Sequence, residues 1–472
     1  MSVNDHHQPS PPKKFRLLMY VIVVVSILFL TLLLWIYRSD ESFQSWTQYY
    51  KATTKPQMTA QPKLPPQCGT GQIVSQGQKG SLVAVKKSKT LLISAYQEHR
   101  TANNEVRVIS VVLRDKEETY FCHICCQKHL YFSEGVSNLN SHHFWFKYGA
   151  ADIMCPVPSG CETPSHIAVT SAADDSEDIL DNEFFEVKNQ EANSVIFPYN
   201  FTVCLSTMFD FTNVLQLVQS LEMMQLLGVD RVAIYKTSCS PETQRILDYY
   251  THKGLVEVIP WSLSRFLNVS RGWLPQHGPG DLHYFGQIAA LNDCVYRYMY
   301  QSRYVALQDI DELILPQTVD SWTALLPLLE NKYGADLCYL FENNVFPNTM
   351  KLPPPTSQTL PQQSPSWQNV PGVNILAHLY QEPPLYGNTK IIVNPRTVFS
   401  TAVHKVLSSQ KGCTLVDRNI ARMYHTRAAI QTELKPDQLI YDDRLLSYST
   451  RLIQTVNTVL KESGFLQENS MQ

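Results

Sequence analysis

"YVALQDIDELILP", residues 304–316, decides how this chain is read. An apolar run from Tyr304 to Leu307 ends in Asp309, Asp311 and Glu312, and hydrophobicity returns at Leu313, Ile314 and Leu315. Two carboxylates brought close repel and raise at least one pKa, so the end of such a strand calls for a positive partner. In an extended segment residues two apart share a face, which sends Asp309 and Asp311 to one site and Ile310 into the core. A hard divalent cation, Mn²⁺ or Mg²⁺, suits a carboxylate pair and leaves positions open for phosphate oxygens. An EF-hand is excluded: the loop lacks the required Gly and returns at once to apolar residues.

Upstream, the rhythm is that of an α/β domain. "FTVCLST" (201–207), "RVAIYK" (231–236) and "LVEVIPW" (255–261) read as strands. Between the first two, Val214, Leu217, Val218, Leu221 and Met224 recur at helical spacing before Gly228. Between the second and third, Ser240 and Pro241 open a helix that Gly254 closes. Another helix, 287–301, carries Ile288, Leu291, Val295 and Met299 on one side and leads straight into the acidic strand. Strand, helix and strand in alternation with short links predict a Rossmann-like, mostly parallel sheet. The acids then fall at the carboxyl end of a parallel strand, the edge where such sheets bind ligands.

The N-terminal part differs. Leu17 to Tyr37 contain no charged residue, enough apolar chain to cross a bilayer core. A signal peptide has a shorter apolar part and a small-residue cleavage site, whereas this run ends in Trp35, Ile36 and Tyr37. Lys13, Lys14 and Arg16 precede it and only Arg38 follows closely, so the N-terminus stays cytosolic and the rest is luminal. Residues 1–16 are then a cytosolic tail, 17–37 the anchor and 38–79 a stem rich in Gln, Thr, Pro and Lys. Short branched and aromatic segments such as "EVRVISVVL" (105–113) predict a β-rich accessory domain over 80–171. An acidic linker occupies 172–198, the α/β domain 199–430 and a helical extension 431–472.

The compartment has independent support. Asn200-Phe201-Thr202 and Asn268-Val269-Ser270 are glycosylation sequons. Eleven cysteines suit an oxidising lumen, and the odd count leaves one thiol over. "CHICC" (122–126) has no second CxxC at zinc spacing, so its cysteines are read as disulfide partners. A net charge of −3 offers nothing to a nucleic acid.

Collinear stretches from about Thr202 to Arg427 resemble glycosyltransferase family 92: "VCLSTMFD" (203–210), "LLGVDRVAIYK" (226–236), the run through "YVALQDIDELILP", "KIIVNPRTVFSTAVHKV" (390–406) and "MYHTR" (423–427). The resemblance implies a GT-A fold and inverting transfer of a sugar, with galactose from UDP-galactose placed in a β1,4 linkage on a glycan or glycoprotein acceptor. It also implies a single-pass Golgi membrane enzyme and leaves a homodimer open.

On that resemblance, Asp311 is assigned direct metal contact and Asp309 the ribose or a metal-bound water, with His425 the first choice and His404 the second for a late imidazole ligand. Ser206, Thr207 and Tyr235 end the first two strands, where the nucleoside would lie. Inverting transfer needs a carboxylate to take the acceptor's proton, and Glu342 in "LCYLFENNVFP" (337–347) is the candidate. Lys390 and Arg396 flank "IIVNP" and would face the diphosphate. "KLPPPTSQTLPQQSPS" (351–366) reads as a loop on the acceptor side. The competing reading is an inactive glycan- or partner-binding protein on a transferase fold, against which the retained Asp309-Ile310-Asp311 argues. A phosphodiesterase would need more metal-ligating His and Asp at strand ends.

Overall fold

The computed structural model describes residues 68, 82–174, 182–192, 195–353, 355, 365–385 and 387–466. The proposed cytosolic tail and anchor, nearly all of the stem and most of the 351–366 loop lie outside the described residues. Among the described residues no helix is long and apolar enough to cross a membrane.

The chain from Pro65 onward forms one compact unit. Its first part is a β-barrel: β1 (Val83–Ala84), β2 (Leu91–Glu98), β3 (Glu105–Leu113), β4 (Tyr120–Cys126), β5 (His129–Leu139), β6 (Tyr148–Pro156), β7 (Pro164–Ser171) and β8 (Phe185–Lys188). They pair in the order β1-β2-β3-β6-β5-β4-β7-β8, and β8 returns to β2 in parallel, closing the ring. The closing strand comes from the segment read as an acidic linker, because Val187 buries its side chain in the barrel core. Three disulfides staple this domain: Cys68–Cys125, Cys122–Cys155 and Cys126–Cys161. Every cysteine of "CHICC" is thereby consumed.

The second part runs β9 (Tyr199–Met208), α1 (Val214–Leu226), β10 (Arg231–Lys236), α2 (Pro241–His252), β11 (Val256–Pro260), α3 (Gln287–Arg297) and β12 (Ser302–Gln308). It continues through β13 (Glu312–Pro316), α4 (Trp322–Tyr333), β14 (Cys338–Pro347), β15 (Tyr380–Gln381), β16 (Thr389–Val393), β17 (Val398–Thr401) and β18 (Val406–Ser409). β19 (Cys413–Leu415), β20 (Ala421–Arg427), β21 (Ile440–Tyr441) and α5 (Ser449–Glu462) complete it. The local signals act as read: Ser240 caps α2 by accepting from Thr243 N, and Gly228 and Gly254 take the positive φ values that end α1 and α2.

The sheet is predominantly but not wholly parallel. β11, β10, β9 and β12 are parallel neighbours, but β16 enters antiparallel to both β12 and β14. Beyond it β20 runs parallel to β14, and β13 closes the far edge antiparallel to β20. The result is a mixed α/β architecture. Strand direction depends on long connections after β13 that carry no periodic signal, so local pattern could not supply it.

Two apolar cores flank the sheet. On one side α1 and α5 bury Leu217, Leu221, Leu452 and Val456 against β9 and β10. On the other, α3 lies between sheet and barrel, and every residue from Gln287 to Tyr296 is buried. Leu91, Val111 and Tyr148 of the barrel join Cys204, Tyr235 and Leu291 in that second core. Cys204–Cys294 ties α3 to β9, and Cys338–Cys413 links β14 to β19. Cys239 is the free cysteine.

Candidate active site

The acidic stretch is a turn between two strands rather than an extended run. Glu312 N donates to Asp309 O at 3.2 Å, and Asp309 N donates to Glu312 Oε2 at 2.7 Å. The Glu312 side chain therefore holds the turn shut, and Ile310, half-buried, packs against the core while also lining the adjoining cavity beside Asp309 and Asp311. That cavity, about 660 Å³, opens at the carboxyl ends of β9 and β12.

Register assembles the charged groups. Leu307 of β12 pairs with Ile391 of β16, which sets Lys390 beside Gln308 and Asp309. Lys390 is 1% exposed, with Nζ 2.8 Å from Asp309 Oδ2 and 3.1 Å from Glu312 Oε2. On the other flank Glu312 of β13 pairs with His425 of β20. His425 Nε2 lies 3.3 Å from Asp311 Oδ2, and its Nδ1 3.4 Å from Glu312 Oε1.

The two aspartates consequently differ. Asp309 accepts from Ser206 Oγ and from Gln287 Nε2 on one oxygen and from Lys390 on the other. Burial alone would push its carboxyl up, but Lys390 and Ser206 hold it at about 2. Burial raises the Glu312 carboxyl despite Lys390. The Lys390 amine, which burial would lower, is held up by Asp309 and Glu312. Burial would likewise lower His425, but Glu312 and Asp311 raise it. Asp311 keeps open acceptor positions on the cavity, its side chain 31% exposed.

Asp309, Asp311, His404 and His425 all line this cavity, but they do not gather into one close-set group. Among the described residues no group of three or more His, Cys, Asp or Glu is placed to hold a metal. Lys390 already supplies the positive charge to Asp309. Asp311 and His425 remain as a carboxylate and imidazole pair facing the cavity, a donor set that fits Mn²⁺ or Mg²⁺ if diphosphate oxygens fill the other positions.

Three further named residues lie off the cavity lining. Tyr235 is fully buried away from the cavity, and its hydroxyl donates to Asp293 Oδ2 at 2.5 Å on the barrel side of the sheet. Arg396 donates to the carbonyls of Met299, Ser302 and Arg303, anchoring the start of β12 at the opposite end from the site. Glu342 is not among the lining residues: along β14 side chains alternate, and Asn343 takes the cavity side. The Glu342 carboxylate faces Arg418 Nε at 3.7 Å, an ion pair beyond hydrogen-bond reach.

Ser206 and Thr207 do line the cavity, as does His404. His404 Nδ1 sits 3.1 Å from Thr389 O, and Thr389 Oγ1 donates back to His404 O at 2.6 Å. Burial and Lys390 push this imidazole down to about 4.

Several lining residues escaped sequence reasoning. Arg427, inside the quoted "MYHTR", is the exposed cation of the cavity. Gln287 opens α3 directly after Gly286, where helix periodicity says nothing about a polar first residue. Trp273 and Tyr284 supply an aromatic wall from the irregular loop before α3. Tyr284 and Phe285 both have positive φ, 33° and 52°, each a costly conformation for a non-glycine residue. It is held by Trp261 Nε1 bonding Phe285 O at 2.8 Å and by Phe209 stacked on Phe285 at 4.0 Å. Asn343 in β14, Asn348 directly after it and Asn388 directly before β16 come from two separate segments and carry no local signal.

A family model matches residues 199–462, more than half of the 472-residue chain. The chain belongs to glycosyltransferase family 92. A glycosyltransferase family 92 protein of Caenorhabditis elegans is 27% identical over 150 residues, 32% of this chain and 28% of the relative, so the match spans little more than a quarter of that protein. Among solved structures, glucosyl-3-phosphoglycerate synthase from Mycobacterium tuberculosis, in complex with Mn²⁺, UDP and glucosyl-3-phosphoglycerate, is 10% identical. It covers 57% of this family 92 chain and 82% of its own, with a TM-score of 0.23, a likeness too slight to transfer any residue. The family match takes in α5, whose apolar face belongs to the same core as β9 and β10.

Proposed function

We propose that this chain is a metal-dependent, inverting glycosyltransferase of the GT-A fold, moving galactose from UDP-galactose to a glycan or glycoprotein acceptor in a β1,4 linkage. One observation carries the reading: Asp311 and His425 meet at 3.3 Å on the wall of a large cavity at the carboxyl end of parallel strands. Asp311 and His425 would hold Mn²⁺ or Mg²⁺. When bound, such an ion neutralises charge on a departing nucleoside diphosphate.

The remaining residues divide the cavity by chemistry. Arg427 offers donors to phosphate oxygens, which only accept. Ser206, Thr207 and Phe209, at and just beyond the end of β9, suit the nucleoside. Asn343, Asn348 and Asn388 present neutral amides, each able to donate and accept, as hydroxyl-rich sugars require. Lys390 balances Asp309 and Glu312, so the turn carrying Asp311 stays folded without a bound ion. An α-linked donor and a β-linked product call for a single displacement; the choice of galactose and of the β1,4 linkage rests on the family resemblance.

A single-pass type II Golgi location is proposed with it. The apolar run 17–37 supports that placement, as do the exposed sequon residues Asn200 and Asn268 and five disulfides. The test is release of UDP by the full chain in detergent from a panel of UDP-sugars with Mn²⁺. Turnover of UDP-galactose, abolished by chelation, is the expected result; release from none of the panel overturns the reading.

A further inference from the structure

The cavity lacks an obvious acceptor for the proton that a sugar hydroxyl must lose. Asp309 has both oxygens engaged by Ser206, Gln287 and Lys390. Asp311 faces His425, Glu312 is 1% exposed beneath the turn, and Glu342 is off the lining. No other Asp or Glu lines the cavity among the described residues.

His404 meets the requirement that these acids do not. Thr389 O is a carbonyl and can only accept, so His404 Nδ1 at 3.1 Å must carry the ring proton. That fixes the tautomer with a lone pair on Nε2. The Thr389 hydroxyl bond to His404 O clamps the same residue a second time, and Trp273 packs on the ring at 5.6 Å. Nε2 has no partner among the described residues and is not enclosed. Desolvation and the charge of Lys390 keep the ring neutral at physiological pH.

We infer that His404 is the general base of the transfer: its Nε2 takes the proton of the attacking hydroxyl. The inference rests on the proposed function. In the step, the hydroxyl oxygen forms a bond to the anomeric carbon and the bond from that carbon to the phosphate oxygen breaks. UDP departs with the electron pair, and the hydroxyl proton passes to His404 Nε2 and then to solvent.

The test compares two nucleophiles with UDP-galactose and Mn²⁺ in the full chain: water, which must be deprotonated, and azide, which has no proton to lose. In His404→Gln and His404→Asn, UDP release to water is expected to fall about 100-fold or more. Release to azide should stay near the wild-type rate, with Mn²⁺ and UDP dissociation constants unchanged. Azide turnover doubles as a check on folding. An equal loss with both nucleophiles, a weakened Mn²⁺ affinity, or unchanged release to water overturns the assignment. Wild-type protein inactive with both nucleophiles would instead count against the proposed transfer itself.

Discussion

Lys390 Nζ lies 3.1 Å from Glu312 Oε2, with both side chains 2% exposed. Removing one partner of such a pair strands the other without a counter-charge. Lys390→Met should therefore destabilise the protein by about 3 kcal/mol or more. Urea unfolding checks this, and adding Glu312→Gln to the same chain should restore part of the loss. An additive double variant would mean that the two side chains do not interact.

Asp311 and Asp309 make different predictions despite standing two residues apart. Asp311→Asn leaves the turn's hydrogen bonds intact, since Asp309 N and Glu312 Oε2 close it. Mn²⁺-dependent UDP release should fall about 100-fold or more with little change in melting temperature. Asp309→Asn uncouples Lys390 and Ser206, so here melting temperature and turnover should fall together. Parallel thermal and kinetic measurements on the two variants separate them; matching thermal losses would refute the division.

How much of this was legible in the sequence depends on the range of the interaction. The caps of α2, the apolar stripe of α1 and the acidic end of β12 are set by neighbouring residues, and all were readable. Lys390 could be named but not placed, because its ion pairs depend on the Leu307–Ile391 register. Tyr235 misled for the reason that helped elsewhere: it ends a strand at the ligand-binding edge, yet its ring points to the barrel side. Nothing in a local pattern foretold a barrel packed on α3, so a helix read as one-sided proved buried at every residue from Gln287 to Tyr296.

Glu342 offers a test of that difference. It borders the cavity in sequence but faces Arg418 in space. Glu342→Gln should alter stability by no more than about 0.5 kcal/mol and leave UDP release from UDP-galactose unchanged. A hundredfold fall in turnover at unchanged melting temperature would return the catalytic proton transfer to this residue.

Asp293 carries the last prediction, one about stability and pH. It is fully buried on α3 and accepts from Ser94 and Tyr96 of the barrel, from Tyr235 of the sheet, and from Arg297 at 3.1 Å. Burial would raise its carboxyl, but Arg297 and then Lys188 hold it far below the usual carboxylate range. A depressed folded-state pKa gives stability that is fully present above the unfolded-state value, about 4, and is lost as pH falls toward the folded one. Asp293→Asn should thus cost about 2 to 3 kcal/mol at pH 7. The gap in melting temperature between wild type and variant should narrow from pH 5 down to pH 3. A gap that stayed constant across that interval would mean that the carboxylate's charge does not hold barrel and sheet together.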